Sequence, residues 1–247
     1  MTPYQSIQRK NGLIICILFL VGVLYSGCAS LSEIKGGGDF QKQYRLYQGY
    51  VRAGYGALNQ KRYKEAIDQY SKAIEISPFE ASHYYHRGLA RYRKGDKERA
   101  IEDFDRAIIL DPRHFPAYIY RGLCRMKKGE YKEALRDYKS ALKLEPKDAS
   151  IHNNLAWLYG TAKDEKFQDK IKALEHAQKA VELSKESNAE ILDTLSRVYH
   201  INGKVKEAVA TQKKAIKLEP GNEKFKAKLE EYQRGKSNLF LELGTII

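Results

Sequence analysis

The sequence predicts an all-α protein, an α-solenoid of about five helix-turn-helix repeats closed by a C-terminal capping helix. Prolines recur at Pro78, Pro112 and Pro146, each 34 residues after the last. Small residues recur in step, at Gly54, Gly88 and Gly122, at Ala66, Ala100 and Ala134, and at Ala73, Ala107 and Ala141. Aromatic residues do the same at Tyr50, Tyr84 and Tyr118 and at Tyr70, Phe104 and Tyr138. A fixed period of this length marks a stack of supersecondary units, each burying its apolar face against the next. The composition agrees. With 43% hydrophobic and 30% charged residues the chain can bury a core, and six prolines with eighteen glycines in 247 residues are too few for a turn-rich β protein.

At the N-terminus, Arg9 and Lys10 precede the uncharged run from Leu13 to Tyr25. A spanning helix needs about 20 apolar residues, and this run is shorter. A positive segment followed by such a run predicts a signal peptide over residues 1–27. The run ends Ser26-Gly27-Cys28, which resembles the lipobox of bacterial lipoproteins, although Tyr25 stands where that pattern usually has an aliphatic residue. The resemblance implies that Cys28 carries a lipid. With Ala29 after it, it also implies an anchor in the outer membrane facing the periplasm. The other reading is an uncleaved N-terminal anchor with Cys28 an ordinary cysteine. Residues 28–39, with Gly36-Gly37-Gly38, read as a flexible tether, reaching roughly 18 Å by random-coil scaling.

Residues 40–236 read as the repeat domain. Glycine and alanine at the recurring places let two antiparallel helices approach closely, and the aromatics fill the space between repeats. Each proline, lacking an N–H, stops a second helix. These residues resemble the tetratricopeptide repeat (TPR) pattern over about residues 47–234. The resemblance implies a concave face lined by the first helix of each pair, and a scaffold that binds proteins. Repeat four keeps Leu155, Ala156, Ala173 and Ala180, with extra residues between Asp164 and Lys170. Repeat five keeps Leu192, Leu195, Tyr199, Gly203, Ala208, Ala215 and Pro220. Phe225, Leu229 and Tyr232 then recur at helical spacing and predict the capping helix. Residues 237–247 form an apolar tail that either packs on its own domain or docks into another copy.

No set of residues predicts catalysis, a cofactor or a metal site. Three cysteines, at positions 16, 28 and 124, make neither a disulfide framework nor a CxxC zinc pair. His83 and His86 at i, i+3 lack a third ligand and read as surface histidines. Cys124 reads as a buried, inert thiol. Arg87 and Arg121 fall just before a repeat glycine, and Asp103 and Asp137 follow sixteen residues later, which predicts structural ion pairs within repeats two and three. Where the arginine is missing, at Ala53 and Leu155, the partner places hold Gln69 and His176.

The candidate partner-binding groove comprises Tyr55, Tyr85, Leu89, Ile119, Tyr120, Leu123, Met126 and Trp157, at first-helix places that face the groove in TPR proteins. Tyr and Trp supply contact area at low entropic cost. Trp157 in Asn-Asn-Leu-Ala-Trp also reads as a packing residue. Val51 and Tyr55 replace the Lys and Asn of the carboxylate clamp, which disfavours that ligand class. The formal charge of +13 suits anionic neighbours, and basic residues from Lys61 to Lys132 cluster at the turns. Either a solvated edge or contact with anionic lipid or wall polymer follows from them; with an export signal, nucleic acid does not. The function expected is a membrane-tethered TPR adaptor that binds a protein or peptide in its concave groove at the cell envelope. The alternative is a self-assembling structural protein, a homo-oligomer built through groove and tail.

Overall fold

The computed structural model describes residues 37–244, with side chains over residues 41–234. The signal peptide, the lipidation of Cys28 and most of the tether lie outside the described residues. The described residues from Tyr50 onward form one compact unit, and before it only the helical stretch from Gly37 is described.

Among the described residues there are eleven α-helices and no strand. The first repeat pairs α1 (Gly37–Asn59) with α2 (Tyr63–Ile76), and the second pairs α3 (Ala81–Lys94) with α4 (Lys97–Leu110). The third consists of α5 (Phe115–Lys128) and α6 (Tyr131–Leu144), the fourth of α7 (Ala149–Thr161) and α8 (Lys170–Leu183). The fifth is α9 (Ala189–Ile201) with α10 (Val205–Leu218), and α11 (Glu223–Gly244) caps the array. From α2 onward every helix packs on the next. First helices also touch one another, α3 on α5, α5 on α7 and α7 on α9. That second set of contacts makes the stack an α-solenoid with one face built from first helices.

Two boundaries differ from the sequence reading. Helix α1 begins at Gly37, inside the stretch read as tether, because an established helix adds one hydrogen bond for each residue it gains. At the other end, α11 continues to Gly244, so residues 237–244 extend the capping helix and are not a separate tail. Leu, Phe and Glu are tolerated there, and no proline interrupts them.

Local chemistry sets the helix ends. First helices close on Gly95, Gly129 and Gly203 at φ of 98°, 83° and 73°, the left-handed geometry in which glycine has no Cβ to clash. Lys61 holds the equivalent place after α1 at φ 59°. Second helices stop two residues before Pro78, Pro112, Pro146 and Pro220, because the residue preceding proline is driven out of the helical region. Asp96, Asp148, Asp169 and Asn188 accept backbone N–H bonds at helix starts.

Close approach explains the recurring glycines inside first helices. A Cβ at Gly122 would lie 2.6 Å from Cε1 of the buried Tyr138, and one at Gly88 would lie 2.8 Å from Cε1 of Phe104. In repeats two to four an aromatic ring early in the first helix ties successive repeats together. Tyr84 Oη donates to the Pro78 carbonyl at 3.1 Å and Tyr118 Oη to the Pro112 carbonyl at 3.3 Å. His152 Nε2 meets the Pro146 carbonyl at 3.2 Å in the same way. At the C-terminal end Phe225 is buried, Tyr232 stacks on His200 with centroids 4.4 Å apart, and Lys228 pairs with the buried Asp193.

Candidate partner-binding face

The first-helix face carries an aromatic network that reaches across repeats. Tyr85 on α3 packs against Phe104 of its own repeat at 6.1 Å and against Tyr120 of the next at 6.0 Å. It also meets His86 at 5.0 Å and His114 at 4.7 Å. Tyr120 continues the network to Tyr92 at 5.7 Å and Phe104 at 6.0 Å. The repeat pattern requires no folding role of Tyr85 and Tyr120, and the structure corrects the expectation that they are free groove rings. Both are half-buried between repeats, and burial raises the pKa of the Tyr85 phenol. Leu89 and Ile119 are corrected more strongly. At 6% and 7% exposure they belong to the core, because the neighbouring first helix covers them.

The remaining candidates stay at the surface. Tyr55 is 57% exposed. Leu123, Met126 and Trp157 are partly buried, with Leu123 and Met126 packed on the edge of the largest core cluster. The Arg197 guanidinium lies over the Trp157 ring at 5.2 Å. Met126 and Trp157 line a cleft of about 350 Å³ together with Lys127, Lys128, Gly129, Tyr131, Thr161, Ala162 and Lys163.

Beneath this face runs a charged network. Arg87 Nη2 lies 2.7 Å from Asp103 Oδ1, and Arg121 Nη2 lies 2.6 Å from Asp137 Oδ1. Each carboxylate holds a second guanidinium, Arg91 at 2.9 Å and Arg125 at 2.8 Å, one helical turn further along. Sequence reasoning missed Arg91 and Arg125, although their spacing of four residues from Arg87 and Arg121 puts them on the same helix face. The arginines also reach back one repeat. Arg121 pairs with Asp105 at 2.5 Å, whereas Arg87 donates to Ser71 Oγ at 3.1 Å. Burial raises the pKa of Asp103 against the opposing pull of Arg87 and Arg91.

Repeat four replaces this network with imidazoles. His152 Nδ1 and His176 Nδ1 are 2.9 Å apart, and His176 stacks on Tyr159 at 5.9 Å. With His152 Nε2–H donating to Pro146, its Nδ1 accepts, so the Nδ1 proton belongs to His176. Burial pulls the pKa of His176 down to about 4, with His152 and Lys172 adding to the shift. The histidine pair read as surface residues is corrected too. His83 is buried and His86 half-buried, stacked on Tyr70 at 5.3 Å, because both fall on the packed side of α3. Burial holds the pKa of His83 at about 4. Cys124 is fully buried, and desolvation pushes its thiol up to about 12.

A family model described as TPR repeat matches residues 58–95 and 122–161, and two described as tetratricopeptide repeat match residues 81–114 and 189–222. Together they span more than half of the chain. It is a tetratricopeptide repeat protein. TPR arrays are protein-interaction scaffolds, and that is the role the repeats assign to this chain.

Among solved TPR structures, a thermophilic TPR protein from Thermus thermophilus superposes with a TM-score of 0.63 at 20% identity, covering 76% of this chain and 98% of its own. MamA from Desulfovibrio magneticus RS-1, residues 41 to the end, gives 0.59 at 24% identity over 72% of this chain and 97% of its own. YrrB, described as a TPR protein with an unusual peptide-binding site, gives 0.54 at 18% identity over 73% and 90%. These likenesses establish the fold. No curated protein matches the sequence.

Proposed function

We propose that this TPR protein is a membrane-tethered adaptor that binds a protein or peptide partner along its first-helix face at the cell envelope. The observation that carries the groove is the set of aromatic and apolar side chains left at the surface of three first helices, the exposed Tyr55 of α1, Leu123 and Met126 of α5 and Trp157 of α7. Aromatic anchors held by packing against a rigid scaffold are what protein interfaces use for most of their binding energy. The tether rests on the sequence, on Arg9, Lys10, the apolar run and Ser26-Gly27-Cys28. Among the described residues no helix is long and apolar enough to cross a membrane.

Photo-crosslinking tests the groove. A benzoylphenylalanine at position 55 should capture a discrete partner in native membranes, and one at the exposed Ile109 of the second-helix α4 should not. Adducts at position 109 alone overturn the groove. Cys28→Ser should abolish lipid attachment, and an unchanged mass and membrane partition would remove the lipoprotein anchor.

A further inference from the structure

The cleft at the C-terminal ends of α5 and α7 owes its form to the irregularity of repeat four. In repeats two, three and five the turn closes on a left-handed glycine and the second helix starts two residues later. In repeat four the place of Gly129 is taken by Lys163, one period on. Helix α7 ends at Thr161, Ala162 leaves it at φ −56° and ψ 134°, a single 3-10 turn spans Glu165–Phe167, and α-helix resumes only at Lys170. The longer turn folds back on repeat three. Lys163 N–H donates to Tyr131 Oη at 3.1 Å, and the Phe167 ring meets the Tyr131 ring at 5.8 Å. Its core is the apolar pair Met126 and Trp157, and its rim is cationic.

The lysines of that rim are not equivalent. Lys128 is neutralised by Glu130 at 2.9 Å and Glu98 at 3.7 Å. Lys127 rests its ammonium 4.7 Å over the Tyr92 ring, and among the described residues no carboxylate pairs with it or with Lys163. Tyr131 Oη accepts from Lys163 and keeps its own proton to donate. Lys127 and Lys163 therefore line the cleft without a carboxylate partner, the Lys127 ammonium resting on Tyr92 just outside it, and the Tyr131 phenol stands beside an apolar floor. About 350 Å³ is at the lower end of ligand-site volumes, room for one or two side chains.

We infer that this cleft anchors an acidic, apolar segment of the protein partner. A carboxylate side chain lies between Lys127 and Lys163, and a neighbouring aliphatic or aromatic side chain rests on Met126 and Trp157. The inference rests on the groove reading above and names the ligand chemistry of one stretch of it. Charge complementarity selects the acid, and the floor selects its neighbour.

Trp157 is the chain's one tryptophan, so the emission of the full-length protein reports on the cleft. Two capped peptides serve as probes, acetyl-Ser-Gly-Glu-Leu-Asp-Gly-Ser-amide and its uncharged analogue with Gln and Asn at the acidic places. The acidic peptide should change Trp157 emission saturably below about 1 mM, and the uncharged analogue should bind about tenfold more weakly. Lys127→Gln with Lys163→Gln should cost the acidic peptide a similar factor and lower the melting temperature only slightly, since both side chains are exposed and only the Lys127–Tyr92 contact is lost. Equal binding of the two peptides, no response to either, or acidic-peptide binding that survives the double substitution overturns the inference. So does a response to phosphatidylglycerol vesicles with none to the peptide. If crosslinking at position 55 still captures the partner while the cleft fails these tests, the groove stands and this anchor falls.

Discussion

Arg87 and Arg121 each hold a carboxylate that is almost fully withdrawn from water, Asp103 at 2% and Asp137 at 1% exposure. Asp103→Ala should be the costlier substitution, about 3–5 kcal/mol, because it leaves two guanidiniums facing each other without a counterion. Arg87→Ala should cost less, about 1–3 kcal/mol, since Arg91 still neutralises the carboxylate. A denaturant-melt cycle on the two should show coupling above about 1 kcal/mol; additive costs would mean that the pair does not interact. Ser71 occupies in repeat one the place that Asp105 fills in repeat two, so the cluster around Arg87 lacks the balancing charge its neighbour has. Ser71→Asp should therefore raise the melting temperature. Two desolvated histidines, the buried His83 and the half-buried His176, fix the sign of the pH dependence. His83 and His176 have folded pKa values near 4, below the unfolded value of 6.5, so the unfolded chain binds more protons between these limits. Stability should be fully present above pH 6.5 and fall as pH drops toward 4, by at most about 1.4 kcal/mol per pH unit from His83. Asp103, with its raised pKa, acts in the opposite sense. Thermal melts of His83→Gln should show a shallower acid slope.

Helices and turns were the most legible layer. Period, proline and glycine placed every helix pair because each letter reports a local steric demand, and the same logic yields two substitutions of opposite sign. Gly122→Ala should destabilise by about 1–3 kcal/mol, since the new Cβ would meet the buried Tyr138 ring at 2.6 Å and that ring has no room to move. Lys61→Gly should stabilise by about 1 kcal/mol by relieving the left-handed backbone at φ 59°. Calorimetry on both variants checks the pair. The groove was less legible. Periodicity identified first-helix places but not how far the neighbouring repeat covers them, so Leu89 and Ile119 passed as surface while Tyr55 was rightly outside. Arg91 and Arg125 were missed because the sixteen-residue spacing singles out one guanidinium for each carboxylate, whereas each carboxylate holds two. The cleft beside Trp157 depends on the path of a non-repeating turn, on which a period is silent.

Across the whole array, cohesion is uneven. The largest core cluster runs from Ile119 to Phe225, through repeats three to five and into the capping helix, whereas repeats one and two contribute smaller clusters. In a stack where each unit leans on its neighbours, amide hydrogen exchange should be slowest in α7 and α9 and faster in α2. Equal protection throughout would mean a single cooperative unit. Lys228→Ala should loosen the C-terminal end by leaving Asp193 buried with one partner fewer, and α11 amides should then exchange first. The backward reach of the arginines has a consequence for how such a chain can be rearranged. Arg121 meets Asp105 because repeat two precedes repeat three, but the residue of repeat three at the place of Asp105 is Lys139. A tandem copy of repeat three would set a guanidinium against an ammonium at the new joint, and moving repeat two behind it would do the same to Arg87. The modules share one shape yet cannot be shuffled, so their order is itself encoded in the charges at their seams.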